Sequence, residues 1–112
     1  MGTTETLSRF VVETPPEGIT EPLLHEGKPC SINFLAVALY AARDPSLDIL
    51  LNLLREEGAR PLATVVGTGV RTSLQNAALA NGYLGHLEDY DDTHFPTVIH
   101  PSSPTVPAAL AL

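Results

Sequence analysis

The sequence predicts an all-α protein, a helical bundle with one small extended, hairpin-like insertion near residues 63–72. Apolar residues recur at helical spacing in several segments, and residues typical of helix starts and ends bound some of these segments. Only one stretch, ATVVGTGVRTS, combines β-branched residues with the glycines of a turn. No internal repeat is present, so we predict that residues 1–112 form a single helical domain segment.

The first two helices differ in clarity. Residues 3–13 are predicted to form a short amphipathic helix, which the following TPPEG ends. Residues 19–29 contain a glycine and two prolines, which predict an interrupted segment. The second helix is therefore predicted to begin at about Cys30. Apolar residues surround it on all sides, which predicts a central, buried helix.

The third helix is marked at both ends. Asp44 can cap it, Pro45 suits its first turn, and Gly58 suits the position after its last turn. Four leucines recur at the i, i+3, i+4 and i+7 spacing of one helix face: Leu47, Leu50, Leu51 and Leu54.

Two further helices follow the extended insertion. Ser73 is a candidate N-cap for a fourth helix that can extend to about Asp92. Alanines and glycines at 77, 78, 80, 82 and 85 would allow another helix to pack closely against it. A fifth helix is predicted to begin between Ser103 and Val106, because Pro107 is best accommodated in a first turn.

Composition excludes several classes of function. Thirteen acidic and six basic residues give a net charge of −7, and the basic residues are scattered, which argues against nucleic-acid binding. The single cysteine, Cys30, rules out a disulfide framework and a four-cysteine metal site within the chain. The longest nearly apolar run, INFLAVALYAA, is too short to cross a membrane. These features predict a cytoplasmic protein with neither nucleic acid nor a membrane as a partner.

The segment LEDYDDTHFPTVIHPSSP holds the chemically active residues. If the fourth helix reaches Asp92, a turn of about 100° per residue places His86, Asp89 and Thr93 on one stripe with Gly82. Asp92 lies three residues from Asp89, and mutual repulsion could raise the pKa of one of these carboxyl groups. A carboxylate, an imidazole and a hydroxyl on one stripe are suited to proton transfer.

His100 is the second candidate for proton transfer. Pro101 biases it toward an extended conformation in a loop that further prolines stiffen. Free N–H groups at the start of the next helix, near Ser102 and Ser103, could bind a substrate carboxylate. A histidine beside such an anion site could move a proton next to that carboxylate.

Three alternatives remain open from the residues alone. The aspartates could be a solvated helix end, although acidic residues at a C-terminus oppose the helix dipole. DYDDT matches the D-x-D-x-T pattern of dehalogenase-like phosphotransferases, but that pattern should follow a strand and here follows a predicted helix. A bound divalent metal is the third alternative, although the sequence shows no established ligand spacing. Its candidate ligands are Asp89, Asp91, Asp92, His94 and His100.

The segment NAALANGYLGHLEDYDDTHFPTVIHPSSPTVPAALAL resembles the N-terminal helical domain of the MmgE/PrpD family, which includes 2-methylcitrate dehydratase, cis-aconitate decarboxylase and iminodisuccinate epimerase. Weaker resemblance extends back to the first helix. The resemblance implies proton removal beside a carboxylate of a small polycarboxylate, with no metal or other cofactor. It implies that Asp89, Thr93 and His100 are catalytic. We further predict substrate binding by Asp92, His94 and Ser102.

The resemblance also implies a larger enzyme. Family members are dimers of several hundred residues, with catalytic lysines and a second histidine beyond the region that this chain resembles. The apolar ending PTVPAALAL predicts that the chain continues past Leu112. We predict the N-terminal segment of a hydro-lyase of 2-methylcitrate dehydratase type, inactive alone. The alternatives are decarboxylase or epimerase chemistry, and a non-catalytic remnant or helical interaction module.

Overall fold

The computed structural model describes residues 2–112 and confirms a mostly helical fold with a small hairpin. The elements, in chain order, are α1 (Thr3–Glu13), α2 (Glu21–Ala41), α3 (Ser46–Glu57), β1 (Ala63–Thr64), β2 (Arg71–Thr72), α4 (Leu74–His86) and α5 (Ser102–Ala111). A single 3-10 turn at Pro16–Gly18 separates α1 from α2.

The predicted interruption before Cys30 is wrong, because α2 is continuous from Glu21 and contains Pro29. Pro22 lies in the first turn, where a missing N–H removes no helical hydrogen bond. Pro29 does leave the carbonyl of His25 without its helical donor. Residues 21–29 are all exposed, so water can satisfy that carbonyl and the helix persists.

The prediction that α2 is buried on all sides is also wrong. Phe34, Val37, Ala38 and Ala41 are buried, whereas Ile32 and Tyr40 are 66% and 67% exposed. The reason is that α4 and α5 pack on only one side of α2. Every residue of α1 is exposed, so α1 adds nothing to the core. Consistent with this, the radius of gyration is 15.4 Å, above the value of about 13 Å for a compact chain of this size.

The core forms where α4 packs against α5 and α2, and small residues on α4 allow the close approach that the sequence predicts. A Cβ atom at Gly85 would lie 2.5 Å from Cε2 of Phe34. A Cβ atom at Gly82 would lie 3.3 Å from the backbone oxygen of Ser103. Both glycines therefore set the distance between α4 and its neighbours.

The predicted signals of α3 are confirmed. Oδ1 of Asp44 accepts a hydrogen bond from the backbone N–H of Ser46 at 2.8 Å, which satisfies a free donor of the first turn. Gly58 follows the last turn with a positive φ of 64°. The predicted leucine face is turned toward the core: Leu47, Leu51 and Leu54 are buried.

The hairpin is tied to α4 by one buried side chain. Ala63 pairs with Thr72 and Thr64 with Arg71. The Asn81 side chain accepts a hydrogen bond from the N–H of Val66 at 2.8 Å and donates one to the carbonyl oxygen of Thr64 at 3.0 Å. Asn81 is 2% exposed, so it replaces water for both backbone groups.

Replacement of Asn81 by alanine should lower the free energy of unfolding by about 2–4 kcal/mol, because two backbone groups lose their partner at about 1–2 kcal/mol each. Urea denaturation of the two proteins measures this difference. Asn52→Ala is the matched control, since Asn52 is exposed and bonds only to Arg55 on its own helix. Equal losses in the two variants would show that Asn81 does not anchor the hairpin.

The predicted boundaries around the DYDDT segment are wrong at both ends. Helix α4 ends at His86, and Asp89 has a positive φ of 50°, so the helical stripe of His86, Asp89 and Thr93 does not form. Helix α5 begins one residue earlier than predicted, at Ser102, and Pro107 lies in its second turn. Pro107 has no N–H to donate to the Ser103 carbonyl, and this carbonyl oxygen lies 3.3 Å from the position that a Cβ atom would take at Gly82.

Candidate functional site

The site is built around the carboxylate of Asp91, in the loop that connects α4 to α5. The Asp91 side chain is 0% exposed, although Asp91 itself has no regular secondary structure. A buried carboxylate requires hydrogen-bond donors around it. The end of α4, the loop and the start of α5 supply them.

Three side chains donate to Asp91. Nδ1 of His86 lies 3.0 Å from Oδ1, and Nδ1 of His100 lies 3.1 Å from the same oxygen. The Ser103 hydroxyl donates to Oδ2. The two imidazole rings meet edge to face, with centroids 4.9 Å apart. One buried carboxylate therefore holds two imidazoles together.

These hydrogen bonds assign the ring nitrogens. Because a carboxylate can only accept, each neutral imidazole carries its proton on Nδ1 and keeps a lone pair on Nε2. Such an Nε2 can take a proton from a substrate, while the buried carboxylate stabilises the imidazolium that forms. The His100 side chain is 26% exposed and that of His86 is 54% exposed, so both remain open to solvent.

The pKa of Asp91 lies below its ordinary value of 3.8. Burial acts to raise this pKa, but the hydrogen bonds from Ser103, His86 and His100 together outweigh it, because they stabilise the charged carboxylate. Asp91 is therefore ionised at neutral pH, as an acceptor for two imidazoles should be.

This lowered pKa gives a testable dependence of stability on pH. A carboxyl group whose pKa is lower in the folded state stabilises the fold above its unfolded pKa, and the stability is lost as the pH falls through the folded pKa. We therefore expect the free energy of unfolding, measured by urea denaturation, to decrease as the pH is lowered below about 4. The decrease should be less steep in Asp91→Asn. Asp48→Asn, which removes the same charge from an exposed position of α3, should leave the slope unchanged.

Part of the acid sensitivity should remain in Asp91→Asn. Two hydrogen bonds from Ser46, from its side chain and its backbone, lower the pKa of Asp44. The combined variant with Asp44→Asn should therefore be the least sensitive to pH. An Asp91→Asn protein with the full acid sensitivity of the original would contradict the structure.

The structure places two of the predicted substrate-binding residues in a helix cap. Asp92 accepts hydrogen bonds from the backbone N–H of Ser102 at 3.1 Å and from its hydroxyl at 2.7 Å. The Asp92 carboxylate therefore occupies the donors that would otherwise bind a substrate anion. It also stabilises a start of α5 at Ser102, earlier than the start predicted from the position of Pro107.

The other predicted residues lie nearer the surface of the loop. Asp89 follows the end of α4, and one of its carboxylate oxygens lies within 4.8 Å of the ligand atoms of His86, Asp91 and His100. The Thr93 hydroxyl donates to the backbone oxygen of Asp91 at 3.5 Å. His94 lies away from Asp91 at the base of an exposed turn, with Nδ1 2.7 Å from the Thr97 hydroxyl.

Asp91, His86 and Ser103 are central to the site but were not among the catalytic or substrate-binding residues predicted from the sequence. Asp91 entered the sequence predictions only through three alternatives, a solvated helix end, the D-x-D-x-T pattern and a metal set, and His86 entered mainly as a member of a helical stripe. The missing information was the end of α4 at His86, which lets the loop turn Asp91 back beneath that histidine. No spacing rule in the sequence signals a contact between residues 86, 91, 100 and 103.

Four residues within 2–112 could together hold a divalent metal ion: His86, Asp89, Asp91 and His100. Imidazole nitrogens and carboxylate oxygens suit zinc, iron or manganese. However, distances of 3.0 and 3.1 Å from the two Nδ1 atoms to Asp91 are those of ordinary N–H···O hydrogen bonds. These bonds account for the convergence of the side chains. Asp92 and His94, part of the metal set predicted from the sequence, lie outside this group.

The phosphotransferase alternative lacks its structural context. The D-x-D-x-T pattern requires a strand that ends at the first aspartate. Here α4 ends at His86, and the loop that follows it carries Asp89.

The family model of the MmgE/PrpD N-terminal domain matches residues 5–112, which is nearly the whole chain. This match confirms the family predicted from the sequence motifs. No curated protein matches the chain significantly.

Proposed function

The chain belongs to the MmgE/PrpD N-terminal domain family, and from this premise we propose that it forms the proton-transfer wall of a lyase active site for small polycarboxylates. In this proposal residues 1–112 are the N-terminal helical segment of the enzyme. The reaction is removal of a proton beside a carboxylate, followed by loss of water, as in a hydro-lyase of 2-methylcitrate dehydratase type.

The observation that carries this proposal is the hydrogen bond between His100 and Asp91. Through this bond, the fully buried carboxylate fixes the orientation of the His100 ring and leaves Nε2 as the basic nitrogen. His100 then takes the substrate proton as a general base, and Asp91 stabilises the imidazolium. Asp91 does not touch the substrate and acts as a positioning residue.

Two further residues complete the proposed catalytic set. Asp89, with a carboxylate close to both imidazoles, orients the substrate or acts as an acid or base. Thr93 donates a hydrogen bond to a substrate carboxylate or hydroxyl. Asp92, His94 and Ser102 remain proposed substrate contacts, although Asp92 and Ser102 would first have to release their mutual hydrogen bonds.

The charge of the segment indicates what must be supplied from elsewhere. A polycarboxylate requires cationic partners, whereas this chain carries a net charge of −7. Its single lysine, Lys28, lies 3.7 Å from Glu21 on α2. We propose that lysines outside this segment hold the substrate, and that the full-length enzyme is a cytoplasmic homodimer. Within residues 2–112, no helix combines the length and the apolar character that crossing a membrane requires.

The first test measures the reaction of the full-length protein with 2-methylcitrate. Dehydration should create a conjugated double bond, whose ultraviolet absorbance rises with time, while residues 1–112 alone should give no signal. The proposed reaction uses no metal, so EDTA should leave the rate unchanged. Loss of activity in EDTA, with recovery on adding zinc or manganese, would favour the metal alternative.

The alternative reactions give different products. Decarboxylation of cis-aconitate would release carbon dioxide. Epimerisation in heavy water would introduce deuterium beside a carboxylate without net loss of substrate. If the full-length protein catalyses neither dehydration, decarboxylation nor deuterium exchange, the enzymatic proposal fails and a non-catalytic helical module replaces it.

A further inference from the structure

His86 is the one imidazole besides His100 that contacts the buried carboxylate in the described chain, and the resemblance assigns it no role. It belongs to the last turn of α4, whereas His100 directly precedes Pro101 in the loop before α5. Both Nδ1 atoms nevertheless share Oδ1 of Asp91, at 3.0 and 3.1 Å. Nδ1 of His86 also lies 3.2 Å from Oδ2, so both rings contact the same negative charge, His86 through both oxygens and His100 through one.

Asp91 offers only one negative charge to the two rings. One imidazolium is balanced by Asp91, but a second would place two positive charges about one ring-to-ring distance of 4.9 Å apart over a single carboxylate. Asp89 is the other acidic group near the pair, and it is exposed to water, which screens it. With a single carboxylate between them, the two rings can work as a pair in one reaction, one as the base and the other as the acid.

Exposure distinguishes the two rings. The His86 side chain is 54% exposed and that of His100 is 26% exposed. The more exposed ring exchanges protons with water more readily, so it can be recharged after each turnover. The less exposed ring is better placed to meet a substrate that has lost its water.

We propose that His86 is the general acid of the reaction in which His100 is the base, an inference that rests on the proposed function. Neutral His100 takes the proton from the carbon beside the carboxylate, and the C–H electron pair forms the C=C bond as the C–O bond breaks. The protonated His86 gives its proton to the departing hydroxide, which leaves as water. Loss of a proton from His100 to solvent and uptake of one by His86 restore the starting state.

The test compares two leaving groups in the full-length enzyme. Hydroxide requires protonation as it leaves, whereas fluoride leaves as a stable anion. His86→Gln should lower kcat for 2-methylcitrate by about 10²–10⁴-fold and lower kcat for its analogue with fluorine in place of the departing hydroxyl by less than about tenfold. His100→Gln should slow both reactions, because both require the base. His25→Gln, at an exposed position of α2, is the matched control.

Each outcome is decisive. Turnover of the fluoro analogue by His86→Gln would also show that this variant is folded. Equal slowing of both substrates would assign His86 a positioning role through Asp91 and overturn the proposal, as would no slowing of either. If His100→Gln keeps full activity with both substrates, the proposed function itself fails, and this result is distinct from the failure of His86 as an acid.

A second measurement does not depend on turnover. Nitrogen NMR of the imidazoles should show the proton of each neutral ring on Nδ1 for His86 and His100, and Asp91→Asn should change the signals of both rings together. A resting protein in which His86 carries its neutral-state proton on Nε2 would overturn the proposal, because Nε2 would then have no lone pair to receive and return a proton.

Discussion

Replacement of His100 by alanine should reduce kcat/KM for dehydration by about 10²–10⁴-fold, the usual contribution of a positioned general base. The loss should fall on kcat, because His100 is proposed to act on the transferred proton rather than to hold the substrate. His25→Ala is the matched control, since it removes a histidine from an exposed site outside the loop. Steady-state kinetics with 2-methylcitrate measure both variants.

Asp91→Asn tests whether the charge of the Asp91 carboxylate supports the His100 imidazole as a base. The amide keeps the size of the carboxylate but removes its charge, so it no longer stabilises an imidazolium. We expect kcat to fall while KM changes little, together with a changed pH profile. A His100→Ala variant that retained more than about one tenth of the original kcat/KM would have lost much less activity than a general base usually contributes. That result would show that the His100 imidazole is not the base.

Replacement of Phe34 by alanine should lower the free energy of unfolding by about 3–5 kcal/mol, the largest effect on stability that we expect. Phe34 is 0% exposed and lies where α2 packs on α4. Tyr40→Ala is the control: it also removes an aromatic ring from α2, but this ring is 67% exposed and should cost about 0.5 kcal/mol or less. Urea denaturation of the two variants measures the contrast.

Gly85→Ala tests the same contact from the other helix. Its Cβ atom would lie 2.5 Å from Cε2 of Phe34, so the variant should lose about 1–3 kcal/mol through overpacking. Combining Gly85→Ala with Phe34→Leu should recover part of this loss, because leucine removes the ring atoms that clash. Strictly additive effects of the two substitutions would contradict direct contact between these positions.

The elements with local signals could be predicted from the sequence. Helix α3 carries its cap residues and leucine spacing within one short segment, so Asp44, Gly58 and the buried leucines were all predicted. The hairpin was predicted from the glycines and β-branched residues within the segment ATVVGTGVRTS. Helix α2 was predicted less well, because the cost of Pro29 depends on whether its surroundings are exposed, which sequence does not show.

The site could be predicted only in part, because its geometry depends on contacts between distant residues. The chemistry of His100 was visible from the sequence, but the partner that fixes it was not. Asp91 and Asp92 are neighbours in the chain, yet Asp91 is buried beneath two imidazoles while Asp92 caps α5. The path of the loop directs the two carboxylates to different partners. No pattern of residue types in the sequence specified which carboxylate would take which role.

The hydrogen bond from Ser103 to Asp91 joins the loop to the same helix that presses its Ser103 carbonyl against Gly82. The groups that would move protons thus share a residue with the interface that holds α4 and α5 together. Heating should therefore produce no temperature range in which the protein is fully folded yet has already lost its aligned imidazoles. The folded fraction and the active fraction should decline together, with one midpoint.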